Sequence, residues 1–156
     1  MKQMWNKGKA WSCVIPLAPR GKGRPRVAVM GKGRARAYTD KLTKQWEKDA
    51  AVVLRAYWKR PPLSGPVALW IDAYKARPKR LLRLSDPSGP MLAPVKPDAD
   101  NVAKLTADSA NGILYEDDAQ ICALYVRTFY TEKGGTPRVE IKLSTLDESS
   151  ALESTR

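Results

Sequence analysis

The pattern of apolar and polar residues along the chain predicts several β-strands. Residues 11–17 are rich in β-branched and aromatic side chains, as is typical of a strand. Residues 67–74 are nearly all apolar, which predicts a central strand covered on both faces. Residues 138–143 alternate cleanly between apolar and polar side chains, and we expect them to pair with residues 121–130 as a hairpin that turns at Gly134 and Gly135.

The same pattern predicts two helices. Thr39 or Asp40 can cap a helix that runs to about residue 58, because apolar residues recur there at spacings of three and four. A second helix begins at Asp98 or Asp100 and ends at Asn111, where the following glycine provides a left-handed stop. The buried stripe of the first helix is expected to contain Leu42, Trp46, Ala50, Val53 and Tyr57.

Two segments between these elements are strongly basic. Residues 27–30 and 34–38 predict a second hairpin, which places Arg34 and Arg36 on one face and two alanines on the other. Residues 75–95 combine many lysines and arginines with several prolines, and we expect them to form a long exposed basic loop.

The length of the chain limits its organisation. With 156 residues, of which 43% are hydrophobic, it can form one domain with a substantial core and is too short for two. We therefore expect a single domain over residues 11–143. Residues 1–10 predict a flexible basic arm, and the Ser- and Glu-rich residues 144–156 predict a disordered tail.

The charge of the chain indicates a polyanionic partner. The formal net charge is +12 and the pI is about 9.9, which favours nucleic acid first and an anionic membrane surface second. Apolar runs are too short to span a bilayer, and the first residues lack the apolar segment of a signal peptide. We therefore expect a cytoplasmic protein without a membrane anchor.

The absence of histidine excludes several kinds of site. Imidazole bases, histidine metal ligands and Ser-His-Asp triads are all ruled out. Cys13 and Cys122 stand far apart in the sequence, so they predict neither a zinc ribbon nor a disulfide framework, and we expect both to be buried. Any hydrolytic chemistry must therefore use carboxylates, lysine and a metal ion.

Carboxylates are concentrated in one segment of this basic chain. Between residues 98 and 118, Lys104 is the only cation, and the acids are Asp98, Asp100, Asp108, Glu116, Asp117 and Asp118. Two like charges about 5 Å apart repel by roughly 3 kcal/mol at an effective dielectric constant of about 20. If the fold gathers these acids, either one of them holds a proton or a hard divalent cation lies between them. A basic surface that recruits phosphate favours the cation, because Mg²⁺ is commonly held by one or two carboxylates and substrate phosphate oxygens.

Simpler structural roles also fit these residues. On a helix, Asp100, Lys104 and Asp108 share one face, and such pairs form ordinary exposed salt bridges worth roughly 0.3 to 0.5 kcal/mol. An aspartate at the start of a helix is most often its N-cap. These interpretations weaken because two acids bracket the helix start and Asp117 and Asp118 follow just before the next strand.

Together these motifs resemble a known family. Lys96-Pro97-Asp98-x-Asp100-Asn101-x-x-Lys104, followed by Asp108, Asn111-Gly112 and Asp117-Asp118-x-Gln120-Ile121, resembles the signature of the RusA family of Holliday junction resolvases. Pro16-x-x-Pro19, the segment Lys22-Gly23-Arg24-Pro25-Arg26 and the pair Tyr38-Thr39 extend the resemblance over most of residues 14–143.

The resemblance implies both a fold and an activity. The fold would be a compact α/β (α+β) domain with a mixed sheet and two main helices, assembled as a homodimer. The activity would be that of an endonuclease that resolves four-way DNA junctions by paired nicks in recombination and repair. It would need Mg²⁺, which Mn²⁺ can replace, and no organic cofactor.

The resemblance also implies the roles of particular residues. Asp98, Asp100 and Asp118 match the metal-binding catalytic acids of the family, and Lys104 matches its catalytic lysine. Asp117 lies where the family also keeps an acid. Because the interval between Asp108 and Asp117 is slightly short, either Asp117 or Asp118 can be the acid that faces the metal.

Basic side chains outside this segment are candidates for DNA phosphate contacts. Such contacts set affinity without reading base sequence, although each of these residues could equally belong to a solvated charged surface. Arg24-Pro25-Arg26 could also line the dimer contact. The candidates are Lys22, Arg24, Arg26, Arg34, Arg36, Lys75, Arg77, Lys79 and Arg80.

A dimer would suit the symmetry of the substrate. A four-way junction has approximate two-fold symmetry, so two identical sites related by a two-fold axis would cut strands of matching polarity. Two other functions remain open at this point. One is a non-catalytic basic DNA-binding protein with structural carboxylates, and the other is a general metal-dependent nuclease of the restriction-enzyme type.

Overall fold

A computed structural model of the chain describes residues 10–23 and 26–148. Most of the predicted arm, Arg24 and the end of the predicted tail lie outside these residues. The elements, in chain order, are β1 (Trp11–Ile15), β2 (Arg26–Met30), β3 (Arg34–Tyr38), α1 (Lys41–Tyr57), β4 (Val67–Lys75), β5 (Met91–Leu92), α2 (Ala99–Ala110), β6 (Ile121–Tyr130) and β7 (Arg138–Thr145). The domain is therefore a mixed α+β fold with two helices, as expected. No helix of the described part is long and apolar enough to cross a membrane.

A five-stranded mixed sheet forms the centre of the domain, in the order β1-β7-β4-β6-β5. The apolar strand β4 lies in the middle, as its sequence predicts. It pairs in parallel with β6 and antiparallel with β7. Parallel neighbours need a crossover, and α2 lies in the connection between β4 and β6.

The predicted hairpin between residues 121–130 and 138–143 is wrong. β4 lies between β6 and β7, so these two strands are not hydrogen-bonded to each other. The reason is that β4, which is buried along most of its length, lies at the centre of the sheet and has a strand partner at each edge, whereas the alternation in β7 determines only which of its faces is buried. β7 also extends to Thr145, so residues 144 and 145 belong to the sheet and not to the tail.

β2 and β3 form a separate two-stranded sheet, which confirms the predicted hairpin of residues 27–30 and 34–38. The cross-strand register pairs Arg36 with Ala28 and Arg34 with Met30. The side chains of β3 are all exposed. Arg34 and Arg36 are therefore accessible to a partner.

The helix α1 confirms its predicted cap but not the whole of its predicted stripe. Asp40 is the N-cap, and its carboxylate accepts hydrogen bonds from the backbone N–H of Thr43 at 2.8 Å and from the Thr43 hydroxyl at 2.7 Å. Trp46 and Ala50 are buried as expected, whereas Leu42 and Tyr57 are 66% and 65% exposed. Thr43 and Leu54 are buried in place of these two residues, and the capping bonds with Asp40 hold the Thr43 side chain facing inward.

The hydrophobic core lies on one face of the main sheet. Alternate residues of β4, namely Val67, Leu69, Ile71 and Ala73, belong to the same buried cluster as Leu54 of α1 and Val102 and Leu105 of α2. Cys13 is buried in this cluster, but Cys122 is exposed, which corrects one of the two cysteine predictions. Both helices therefore cover the same face of the sheet.

Candidate active site

The amino end of α2 carries Asp98 and Asp100. Asp98 is the N-cap, yet no capping hydrogen bond to its side chain is found among the described residues, so its exposed carboxylate is available to another group. Asp100 follows in the first turn and is also exposed. The Lys104 Nζ lies 3.9 Å from the Asp100 Oδ2, and both side chains are more than half exposed. An exposed pair of this kind contributes at most about 1 kcal/mol, so this contact does not fix either side chain.

Lys75, a predicted DNA contact, is instead part of the protein interior. It ends β4 and is only 8% exposed. Its ammonium group donates to the carbonyl oxygens of Val95 and, at 2.9 Å, of Pro97. Burial lowers the pKa of Lys75, and the nearby carboxylate of Asp98 opposes that shift. The prediction for Lys75 is therefore corrected, because this side chain holds the segment that leads into Asp98.

Arg77 also makes internal hydrogen bonds, but its side chain is only half-buried, so its role as a DNA contact stays a prediction. Its guanidinium group donates to the carbonyl oxygens of Leu81 at 2.8 Å, Gly89 at 3.0 Å and Pro87 at 2.6 Å. These bonds order the region that was predicted as an exposed loop, and β5 forms within it. Lys79 and Arg80 remain exposed. Only part of this basic segment is therefore available to a partner.

A second group of acids lies at the other end of α2. The carboxyl groups of Asp108 and Asp117 surround that of Asp118 and raise its pKa. The causes are the hydrogen bond with Asp117 first, then partial desolvation, then the negative charges of Asp117 and Asp108. The close approach of like carboxyl groups makes this group a place where a proton or a cation is stabilised.

Lys22 supplies one positive charge to this group. Its ammonium forms an ion pair with the Asp108 carboxylate, and its backbone N–H donates to the Asn101 carbonyl oxygen at 3.1 Å. The hydrogen bond with Asp108 is the main cause that raises the pKa of Lys22, and Asp118 adds a smaller contribution. This predicted phosphate contact thus faces the acids in the structure.

Tyr115 supports the same region from the protein interior. It is fully buried, and its hydroxyl donates to the Ala107 carbonyl oxygen at 2.7 Å. Burial raises the pKa of Tyr115, with further contributions from Asp118 and Asp108. Tyr115 therefore ties the end of α2 to the segment that carries Asp117 and Asp118.

The predicted metal ligands are only partly brought together. Asp118 lies with Asp117 and Asp108, whereas Asp100 lies two helical turns before Asp108, about 12 Å along the axis at 1.5 Å per residue. Within residues 10–23 and 26–148, no group of three or more Asp, Glu or Cys side chains is arranged so that it could hold a metal ion. One chain therefore offers two acidic groups at opposite ends of α2. Their carboxylate oxygens suit a hard cation in chemistry, but their positions do not form one complete ligand set.

Sequence reasoning missed two features of this site. Asp108 was placed on the face of Asp100 and Lys104, but its contact with Asp118 was not predicted. The pairing of Lys22 with Asp108 was not predicted either, because the two residues are far apart in the sequence and no local pattern indicates the contact.

Comparison with known proteins identifies the family. The chain matches the family described as "Endodeoxyribonuclease RusA" over residues 16–144, which is most of its length. The chain belongs to the RusA endodeoxyribonuclease family. The uncharacterized protein YqaN of Bacillus subtilis (strain 168) is 28% identical over 130 residues, which cover 80% of this chain and 89% of YqaN. The RusA match includes all of the candidate acids and Lys104, so the acidic groups near the two ends of α2 lie in the region that matches an endodeoxyribonuclease family.

Proposed function

We propose that this RusA-family protein is an Mg²⁺-dependent endonuclease that resolves four-way DNA junctions by paired nicks, acting as a homodimer. The observation that carries the proposal is the family match over residues 16–144. A net charge of +12 together with acids concentrated around α2 supports it, because such a chain attracts DNA and still offers carboxylates for a cation.

In this proposal Asp98 and Asp100, at the amino end of α2, and Asp117 and Asp118, near its other end, supply carboxylate ligands for one or two cations. When bound, Mg²⁺ or Mn²⁺ would lower the pKa of a coordinated water and neutralise the scissile phosphate. Because one chain does not gather these acids into a complete set, the missing ligands must include oxygen atoms from outside the chain, as when Mg²⁺ is held by one or two carboxylates and substrate phosphates.

Lys104 has room to contact DNA. Its exposed ammonium lies beside Asp100 in a weak surface pair, so it can turn towards a phosphate at little cost in free energy. There it would stabilise the charge that develops on the phosphate during cleavage. Arg26, Arg34, Arg36, Arg77, Lys79 and Arg80 remain the candidates for further phosphate contacts, with Arg24 outside the described residues.

A cleavage assay on several DNA substrates tests the proposal. A labelled four-way junction, a flap and a linear duplex are incubated with the protein and Mg²⁺, Mn²⁺, Ca²⁺ or EDTA. We expect symmetric nicks in the junction with Mg²⁺ or Mn²⁺ and none with EDTA. Equal cutting of the linear duplex would indicate a general nuclease, and cutting in EDTA would refute metal dependence.

Variants test the assigned residues. Asp98→Asn, Asp100→Asn and Asp118→Asn should each abolish nicking while junction binding persists. Glu116→Gln is the matched control, because Glu116 is an exposed acid in the same segment outside the proposed ligand set. A full nicking rate in the three Asn variants would overturn the assignment.

The Lys22–Asp108 ion pair favours a second candidate function, in which the acids are structural and the protein only binds DNA. That function predicts tight junction binding with no nicks under any metal condition. The same gels therefore separate the two candidates.

A further inference from the structure

The helix α1 carries a row of basic side chains that has no role in the proposed site so far. Lys41, Lys44, Lys48 and Arg55 follow one another at intervals of three, four and seven residues. At about 100° per residue, these intervals keep all four within about 60° of one another around the helix axis. All four side chains are exposed. We call these four residues the basic row of α1.

The basic row lies on the solvent side of α1. The buried residues of this helix are Thr43, Trp46, Ala50 and Leu54. They are centred about 145° away from the row around the helix axis, at about 100° per residue. Packing of α1 against the core therefore does not restrict the four cations.

The four cations are not neutralised by the protein. Among the described residues, none of them forms an ion pair. The two acids within α1 lie outside the row and have neighbours of their own. Asp49 accepts a hydrogen bond from the Gln45 side chain at 2.8 Å, and Glu47 lies close enough to Lys22 to interact with its charge. The row is therefore a line of free positive charge.

Several basic residues outside α1 are used differently. Lys22, Arg127 and Arg138 each pair with a carboxylate, and Lys75 donates to backbone carbonyl oxygens. Such contacts hold the fold together and leave less of the cation for a partner. A surface that binds nucleic acid needs cations that are free to contact phosphates, and the row of α1 offers them.

The row borders an open groove between α1 and α2. The groove has a volume of about 430 Å³, and Lys48 and Arg55 line it from α1. Asp108 and Asn111 line it from the end of α2. Asp108 belongs to the same acidic group as Asp118, which is a proposed cation ligand. The free cations therefore lie along a path that leads to this acidic group.

The length of the row suits the backbone of duplex DNA. Lys41 and Arg55 are separated by about 21 Å along the helix axis at 1.5 Å per residue. One strand of B-DNA carries a phosphate about every 3.4 Å of its axis, so the row extends over about six phosphates. The match to an endodeoxyribonuclease family over residues 16–144 includes α1, which favours DNA over an anionic membrane as the polyanion.

We propose that the basic row of α1 is a phosphate-binding track, which holds one duplex arm of the DNA substrate and leads its backbone along the groove towards the acidic group at the end of α2. This inference rests on the proposed function, because it takes that acidic group as part of the site that cuts DNA. It adds a surface that positions the substrate and does not touch the reacting atoms. Contacts of this kind set affinity and register without reading base sequence.

The salt dependence of junction binding tests the track. Binding of a labelled four-way junction is measured by fluorescence anisotropy in EDTA, between about 50 and 200 mM salt. The slope of log affinity against log salt changes by about 0.9 for each phosphate contact. The triple variant Lys44→Gln/Lys48→Gln/Arg55→Gln should therefore reduce the slope by about 2.7 and weaken binding at least tenfold. Near-UV circular dichroism checks that each variant is folded.

A pair of single variants separates position from overall charge. Lys48→Gln and Lys142→Gln each remove one charge from an exposed lysine. Lys142 alternates along β7 with the core residues Ile141 and Leu143, so it lies on the face of the sheet opposite the helices. Lys48→Gln should reduce the slope by about 0.9, and Lys142→Gln should leave it unchanged. Equal slopes in these two variants, or a wild-type slope in the triple variant, would overturn the inference.

Vesicles test the other polyanion. The wild type and the triple variant are mixed with vesicles that contain phosphatidylserine. Loss of vesicle binding in the triple variant, together with a wild-type slope for the junction, would assign the row to a membrane surface and would overturn the inference.

Cleavage kinetics separate a failure of the track from a failure of the proposed function. In Mg²⁺ the triple variant should raise the KM for the junction at least tenfold and keep kcat within about twofold of the wild type. A lower kcat with an unchanged KM would overturn the inference, because it would place the row in the chemical step. A reduced salt slope in the triple variant would support the track even if the wild type cut no junction. A wild-type slope in the triple variant, with a wild type that cuts junctions, would overturn the track and leave the function intact.

Discussion

Replacing Lys75 with methionine tests whether this residue supports the site or contacts DNA. Methionine keeps much of the apolar stem but removes the ammonium group and its hydrogen bonds to the Val95 and Pro97 carbonyls. Hydrogen bonds to a charged group contribute about 1.5 to 3 kcal/mol each. Burial of the ammonium offsets part of this, as the lowered pKa of Lys75 indicates. We therefore expect a net loss of about 2 kcal/mol in the free energy of unfolding.

Two measurements distinguish the roles. For a chain of 156 residues, a loss of about 2 kcal/mol lowers the melting temperature by about 4 to 8 °C. We also expect the nicking rate to fall at least tenfold, because the segment before Asp98 loses its anchor and a small displacement of a catalytic group is costly. The salt dependence of junction binding should remain that of the wild type.

Lys142→Met is the matched control, since Lys142 is exposed on β7. If Lys75 contacted a phosphate, Lys75→Met would leave the melting temperature unchanged and would reduce the slope of log affinity against log salt by about one. That result would refute the structural role derived from its burial and hydrogen bonds.

Three further predictions concern stability. Arg127→Met should lower the free energy of unfolding by about 3 kcal/mol, because it leaves the buried Asp72 carboxylate without its partner. The double variant Asp72→Leu/Arg127→Met should come within about 1 kcal/mol of the wild type in denaturant titrations at one protein concentration. An equal loss in both variants would contradict this. Hydrogen bonds from the first turn of α1 lower the pKa of Asp40, so its contribution is present above the unfolded pKa of about 3.9 and is lost as the pH falls through the lower folded pKa. The difference in free energy of unfolding between the wild type and Asp40→Asn should therefore be largest at pH 7 and should disappear in acid. A difference that increased in acid would refute this. Gly112→Ala should cost about 1 kcal/mol because φ is +72° there, while Gly89→Ala, at a position with ordinary φ and open space, should be neutral in thermal melts; equal effects would exclude backbone strain as the cause.

The local elements of this protein are determined by its sequence. The cap at Asp40, the stop at Gly112 and the apolar run of β4 depend on hydrogen bonds and burial within a few residues of chain. The RusA signature around α2 is likewise readable from residue types and their spacing. The spacing of apolar residues therefore predicts whether a helix or a strand forms, because a helix buries one stripe and a strand buries one face.

Strand pairing was decided by the tertiary structure. β4 separates β6 from β7, and no alternation within either strand indicates this. The succession of strand, helix and strand from β4 through α2 to β6 was the signal that could have predicted the parallel pair, since parallel strands need such a crossover.

The tertiary structure also decided what each charged residue does. Lys75 and Arg77 look like exposed cations in the sequence, yet both bind carbonyl oxygens of segments that only the fold brings near. Lys22 contacts Asp108, which lies 86 residues later in the sequence, and the acids of the signature divide between the two ends of α2. A sequence shows charge and spacing, whereas the burial and the partners of a charge depend on long-range contacts, and these determine whether the charge binds a ligand or holds the protein together.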